Sequence, residues 1–295
     1  MATTYSKSDV YELVTNRIIE QMEQGIIPWQ KPWHGAMDGA ISYTTGKPYS
    51  LINQFLLGRD GEFLTFKQVQ DLGGKVKKGA KSQMVVFFKQ YPIVETSTNE
   101  DGEEVKKVKN IPILRYYNVF HISDCEGIQS KIKEGEKPTS TLKPNEFADK
   151  VANNYVAREN ITLTIKKSDK AYYSPASDSV TCPLMEQFDE ESEFYSTLFH
   201  ELSHSTGADN RLNRNLKDGH FGNESYAKEE LVAEIGAAYL TQYVGYDCPK
   251  SQRNNVAYLQ SWIKALKNDH KMIVSAASKA QNAVDLILGT EKSAE

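Results

Sequence analysis

The sequence predicts an α+β chain of two domains, an N-terminal α+β domain and a C-terminal domain with a small sheet beside a long amphipathic helix. Three observations carry that prediction. Residues 195–207 hold His-Glu-x-x-His inside a helical pattern, at His200, Glu201 and His204. Two runs rich in aromatic and β-branched residues, 83–88 and 111–122, bracket a polar, acidic stretch, as the strands of a hairpin do. Residues 127–144 gather lysine, glutamate, Gly135, Pro138 and Pro144, the composition of an interdomain linker. The expected division is residues 1–126, a linker at 127–144, and residues 145–295.

Composition narrows the function classes. The net charge is −4 over 295 residues, which excludes a protein that coats nucleic acid through its overall charge but leaves room for a local basic face. Cys125, Cys182 and Cys248 are odd in number and far apart, with no Cys-x-x-Cys pair. That argues against a disulfide framework or a cysteine zinc ribbon and fits a reducing compartment. The start of the chain has no apolar signal segment and no run is long enough to cross a membrane, so a cytoplasmic protein is expected.

The N-terminal elements follow in order. Residues 8–24 read as a helix, with Val10, Leu13, Val14, Ile18 and Met22 in register and Gly25 as its stop. Residues 26–33 form a loop, because Pro28 and Pro32 forbid regular pairing. Its tryptophans, Trp29 and Trp33, can stack on bases or pack under the loop as core. Residues 42–49 read as a turn into a helix at 50–57, and 63–66 as a short strand or helix entry. A helix over 67–72 stops at Gly73-Gly74. The loop that follows carries Lys75, Lys77, Lys78 and Lys81 and leads into the aromatic strand 83–88, with Tyr91 just beyond. Lysines there can take phosphates and aromatics can take bases of a single strand; a merely solvated lysine loop is the alternative. The hairpin tip is expected at 95–105, and His121 on the returning strand reads as a structural histidine.

In the C-terminal half, residues 145–159 read as a helix, 161–165 as an alternating strand, and 171–175 and 178–183 as two strands about a turn. This sheet directly precedes the His-Glu-x-x-His helix, where an edge strand could pair with an extended peptide. Residues four apart on a helix lie one above the other, so His200 and His204 can hold one metal ion. Glu201 lies beside the first ligand and can take a proton from a bound water. Two histidines four apart by coincidence is the other reading. Residues 208–223 form a loop containing His220, read as a surface residue. Residues 225–240 read as a second amphipathic helix. Glu230 and Glu234 share one of its faces, and Glu229 lies about 100° round from Glu230. Two carboxylates on an apolar face are costly unless paired or metal-bound. Glu230 is read as the third ligand and Glu234 as a hydrogen-bond partner of a ligand histidine; Glu229 and Glu234 remain the alternative ligands. Helices over 251–266 and 271–288 close the core.

Several stretches together resemble the ArdC family of antirestriction proteins, whose N-terminal domain is also similar to the start of TraC-type conjugative primases. They are Ile27-Pro28-Trp29-Gln30-Lys31-Pro32-Trp33, residues 45–53, Tyr117-Asn118-Val119-Phe120-His121, residues 197–207, Arg211-Leu212-Asn213-Arg214, Phe221-Gly222, residues 226–237, and Tyr258-Leu259 through Trp262. The resemblance implies an N-terminal domain that binds single-stranded DNA without strong sequence preference and a C-terminal zincin-like metallopeptidase domain. It implies His200, His204 and Glu230 as ligands of Zn2+, or another divalent ion such as Mn2+, with Glu201 as the catalytic base. The implied function is antirestriction on behalf of a mobile element. The alternatives are a regulatory zinc metallopeptidase, and a catalytically silent, metal-stabilised protein that occludes DNA. The implied partners are single-stranded DNA and a protein or peptide substrate, with no membrane.

Overall fold

The computed structural model describes residues 7–30, 39–98, 104–132, 143–214, 216, 224–248 and 256–290. Helix α1 (Lys7–Glu23) buries Val10, Val14, Ile18 and Met22 of the stripe its spacing predicts, while Leu13 faces outward. After a 3-10 turn (Pro28–Gln30), strand β1 (Ala40–Ser42) runs parallel to β2 (Gly61–Thr65), and helix α2 (Leu51–Leu57) makes the crossover between them. β1 lies partly in a stretch read as a turn from sequence; three residues are too few to show alternation. Thr65 ends β2 and caps helix α3 (Phe66–Asp71), with Gln68 returning a bond to the Thr65 amide. Strand β3 (Lys75–Val76) pairs with β6 (Cys125–Glu126), so the lysine loop begins as a strand.

The four-stranded N-terminal sheet has the order β1-β2-β5-β4, and it is dominated by the hairpin of β4 (Gln83–Thr98) and β5 (Glu104–His121). Pairing continues outward to Thr98 opposite Glu104, so the tip lies further out than the polar composition of 95–105 suggests. Ladder bonds are made by the backbone, and polar side chains do not end them. The stretch read as a linker begins by folding back on this sheet: Ser130 Oγ (2.6 Å) and the Lys131 amide (3.1 Å) donate to the buried carboxylate of Glu62.

The C-terminal half begins with helix α4 (Pro144–Arg158). A three-stranded sheet of order β7-β9-β8 follows, with β7 (Thr162–Ile165) parallel and β8 (Tyr172–Ser174) antiparallel to β9 (Ser179–Cys182). Helices α5 (Glu191–Ser205), α6 (Glu224–Tyr243), α7 (Val256–Asn268) and α8 (Met272–Leu288) complete the described chain. None of the described helices is long and apolar enough to cross a membrane.

Two large cores meet in α6 and α8. One gathers α1, Trp29, α2, Val86 and Leu114 of the hairpin, and Leu231, Val232 and Ile235 of α6 with much of α7 and α8. The other gathers α4, β9 and α5 with Ala237 and Leu240 of α6 and Val284 and Ile287 of α8. Helix α6 is packed on several sides from Leu231 to Thr241, with Glu229, Glu230 and Glu234 gathered toward α5. The two sequence halves therefore share a core, and polar bonds span it: Thr15 Oγ1 donates to the His270 carbonyl (2.7 Å) and the Leu51 amide to Gln281 (3.2 Å). Gly236 lets α6 approach α5, since a Cβ there would lie 2.7 Å from Ser203 Oγ.

Candidate metal centre

Helix α5 carries Glu191 and Glu193 in its first turn, where acids complement the helix dipole. Phe194, Leu198, Phe199 and Leu202 anchor it in the core, which fixes the rotation of the helix and hence where the histidines point. His200 is 4% exposed and Glu201 is 6% exposed. The two Nε2 atoms of His200 and His204 stand 3.1 Å apart. From α6, Glu230 places Oε2 3.5 Å from His200 Nε2 and Oε1 3.4 Å from His204 Nε2. The three ligand atoms lie within 4.8 Å of one another. Ligands held about 2.0–2.1 Å from a tetrahedral ion are ~3.3 Å apart, so this donor set fits a divalent metal. Among the alternatives left by the sequence, Glu230 is the carboxylate that faces both Nε2 atoms.

The electrostatics agree with a centre that concentrates charge. Burial opposes a charged His204, yet hydrogen bonds from Glu229 and Glu230 and the charges of Glu229 and Glu201 outweigh it and push its pKa up to about 10. Burial likewise opposes a charged Glu230, but hydrogen bonds from His200 and His204 hold it well below the usual carboxylate range. Burial pushes the Cys182 thiol up to about 12, with the Glu201 charge adding to it.

The other ring nitrogens meet carboxylates. His204 Nδ1 lies 3.2 Å from Glu229 Oε1, within hydrogen-bond range. His200 Nδ1 lies 3.8 Å from Glu234 Oε1, a charge contact too long for a hydrogen bond. Glu234 thus stands beside the ligand histidine it is expected to support, and Glu229 makes a hydrogen bond to the other. The helical-face argument set Glu229 aside because it looks sideways from Glu230; it looks toward Arg214, whose long-range pairing no local spacing reveals. Glu201 reaches the small sheet, and its Oε2 accepts the Tyr173 amide of edge strand β8 at 2.9 Å.

Comparison with known proteins gives two family matches along the chain. Residues 8–120 match the model of the N-terminal domain of anti-restriction factor ArdC, and residues 150–279 match that of a zincin-like metallopeptidase. The metal-free crystal structure of the antirestriction ArdC protein from plasmid R388 superimposes with a TM-score of 0.71 and 32% identity, covering 96% of this chain and 97% of that one. The chain belongs to the ArdC family. The Mn(II)-bound structure of the R388 ArdC protein gives a TM-score of 0.72 at 30% identity, over 97% of this chain and 99% of that one. Two DNA primases TraC of Escherichia coli are 33% and 34% identical over 97% of this chain, which spans only 28% and 20% of their lengths. The uncharacterized protein y4eC of Sinorhizobium fredii is 28% identical over 99% of this chain and 96% of its own length.

The ArdC-type N-terminal domain corrects one sequence expectation. Trp29 is 3% exposed, packs against Phe55 at 6.2 Å between ring centroids, and so has no free face for a base. Trp33 and His220 lie outside the described residues. Lys75, Lys77, Lys78 and Lys81 are exposed, although the Lys77 ammonium donates to the Ser123 carbonyl at 2.9 Å. His121 is hydrogen-bonded at both ring nitrogens, to Ser123 and to the Asp60 carbonyl.

A second surface is more extensive than the lysine loop. Residues 83–94 and 108–119 contain Lys89, Lys109 and Arg115 and no acid. The register places Phe87 opposite Arg115, Val85 opposite Tyr117, Tyr91 opposite Ile111 and Ile93 opposite Lys109, all on one face of the hairpin. Phe87 and Tyr117 are exposed with centroids 5.5 Å apart. Lys89 Nζ and Arg115 Cζ lie 5.3 and 5.6 Å from the Tyr91 ring centroid, and Arg115 donates to the Tyr91 hydroxyl at 3.2 Å. The sequence offered the aromatic run; the interleaving of cations from β5 needed the strand register.

Proposed function

We propose that this chain is an antirestriction factor that binds single-stranded DNA through its N-terminal domain and holds a divalent metal, zinc or manganese, in a peptidase-type site of its C-terminal domain. The observation that carries the reading is the convergence of His200, His204 and Glu230 beside Glu201. The R388 ArdC protein supports it as a structural relative with Mn(II) bound.

His200 and His204 would hold the ion through Nε2 and Glu230 through its carboxylate. When bound, the metal would polarise a peptide carbonyl and lower the pKa of its water. Glu201 would take the proton of the attacking water and deliver it to the leaving amine. Its bond to the Tyr173 amide holds the carboxylate at the edge of the small sheet, near where an extended peptide would pair. On the DNA side, Phe87, Tyr91 and Tyr117 would stack with bases while Lys89, Lys109, Arg115 and the loop lysines Lys75, Lys77, Lys78 and Lys81 take phosphates.

The test is Glu201→Gln in the full chain. Metal content by elemental analysis should match the wild type, and metal-dependent peptide hydrolysis should vanish. Hydrolysis that survives the change would remove Glu201 from its role, and wild-type protein that takes up neither zinc nor manganese would remove the metal site. Protection of incoming DNA by the variant distinguishes the roles of the two domains. Full protection would assign antirestriction to DNA occlusion.

A further inference from the structure

The Arg211-Leu212-Asn213-Arg214 stretch supplies none of the three candidate ligands, yet both of its arginines are buried, with side chains 1% and 4% exposed. The turn that carries them is tied to the end of α5: the Leu212 amide donates to the Thr206 carbonyl, Asn213 to Ala208 and Arg214 to Gly207. Asn213 takes a left-handed φ of 46°, a conformation that asparagine tolerates better than most residues.

From this turn Arg214 reaches into the metal centre. Its Nε donates to Glu229 Oε2 at 2.9 Å and its Nη2 to Glu229 Oε1 at 2.7 Å, a two-pronged bond that fixes the carboxylate plane. The same guanidinium donates to Thr206 Oγ1 at 2.6 Å and to the Ser203 carbonyl at 2.7 Å, which locks it against α5. Gly207 leaves the room: a Cβ there would lie 3.0 Å from Arg214 Nη2 and 2.9 Å from Leu216. Arg211 turns the other way, pairing with Asp178 of the β8–β9 turn and donating to the Ser205 carbonyl at 2.8 Å, without touching a metal ligand.

We propose that the Arg211–Arg214 turn is a positioning clamp for the metal centre, in which Arg214 fixes Glu229 and Glu229 fixes His204 as the tautomer that carries its proton on Nδ1. This rests on the metal-site reading above. A histidine whose Nδ1–H donates to a carboxylate presents the lone pair of Nε2, and Nε2 is the atom that faces His200 and Glu230. A glutamate on α6 without the guanidinium would be free to rotate away. With it, both oxygens are committed before any ion arrives. Arg214 and Glu229 are positioning residues, and Arg211 is a buried arginine of the same turn that lacks the connection.

The experiment titrates full-length wild type, Glu229→Gln, the double variant Arg214→Met/Glu229→Leu, and Arg211→Met with zinc chloride or manganese chloride alone. The double variant removes both buried charges at once, so neither is left unpaired. Metal affinity should fall about 10- to 100-fold in the double variant, less in Glu229→Gln, and stay within about twofold in Arg211→Met. With zinc bound, 15N shifts of His204 should report Nε2 as the coordinating atom and the proton on Nδ1 in wild type and Arg211→Met, and a mixture of the two arrangements in the double variant. Equal affinity and an unchanged tautomer in the double variant would overturn the clamp while leaving the metal site standing. A loss that Arg211→Met shares in full would mark it as general destabilisation and also overturn it. Wild-type protein that binds neither ion would instead overturn the metal reading, and the clamp with it.

Discussion

A tryptophan beside prolines has enough apolar surface to serve as a platform for a base or as a wedge in a core. At Trp29 the core wins, because α1, α2 and α6 close around it. Trp29→Ala should therefore cost about 3–5 kcal/mol of unfolding free energy in a urea titration. Under conditions where the variant stays folded, single-strand affinity and its salt slope should match wild type; a reduced affinity there would return the indole to the DNA surface. The candidate ligand set His200, His204 and Glu230 was readable for the opposite reason. Helical spacing alone brings His200 and His204 together, and an apolar helix face makes an inward glutamate stand out. Glu229 was not legible, because its partner Arg214 arrives through a loop whose path no periodicity describes.

The β4–β5 hairpin is the element whose reach was underestimated from sequence. Sixteen residues in β4, at about 3.3 Å each, make an arm of ~50 Å. Its base is covered on both faces, by Val85 and Val119 on one and Val86 and Leu114 on the other. Beyond the base, Phe87, Phe88, Ile93, Val94 and Val108 are exposed. If the cation-bearing face tracks a single strand, Lys89→Ala/Lys109→Ala/Arg115→Ala should flatten the plot of log affinity against log salt by about 2, at ~0.7 per lost phosphate contact. Phe87→Ala and Tyr117→Ala should each weaken binding by about 1–3 kcal/mol at every salt concentration. Fluorescence anisotropy with oligo-dT reads both. An unchanged slope in the triple variant, with a flattened one after changing Lys75, Lys78 and Lys81, would move the track to the loop. The strand content was readable from aromatic and β-branched runs, whereas register and length were not, since they depend on which residue faces which.

At the scale of the molecule, two domains by sequence meet in a core that both build. The amphipathic faces of α1, α7 and α8 were visible, but an apolar stripe does not say whose stripe it meets. In the fold, α6 presents Glu230 to the metal centre and Leu231, Val232 and Ile235 to the N-terminal helices. Heat should unfold the chain in a single calorimetric transition, and added zinc or manganese should move that whole transition upward, because an ion that binds the native state alone stabilises everything that unfolds with it. A second transition indifferent to metal would show that the halves unfold separately.

The shared core also bears on how such a chain can be inherited. A recombination event that carried off residues 8–120 alone would strip α1 and α2 of their cover from α6, α7 and α8 and leave two sticky fragments in place of one folded body. Selection would then keep the pair as an indivisible cassette. The TraC relatives have this pattern: the similarity runs through 97% of this chain, both halves together, inside proteins several times its length.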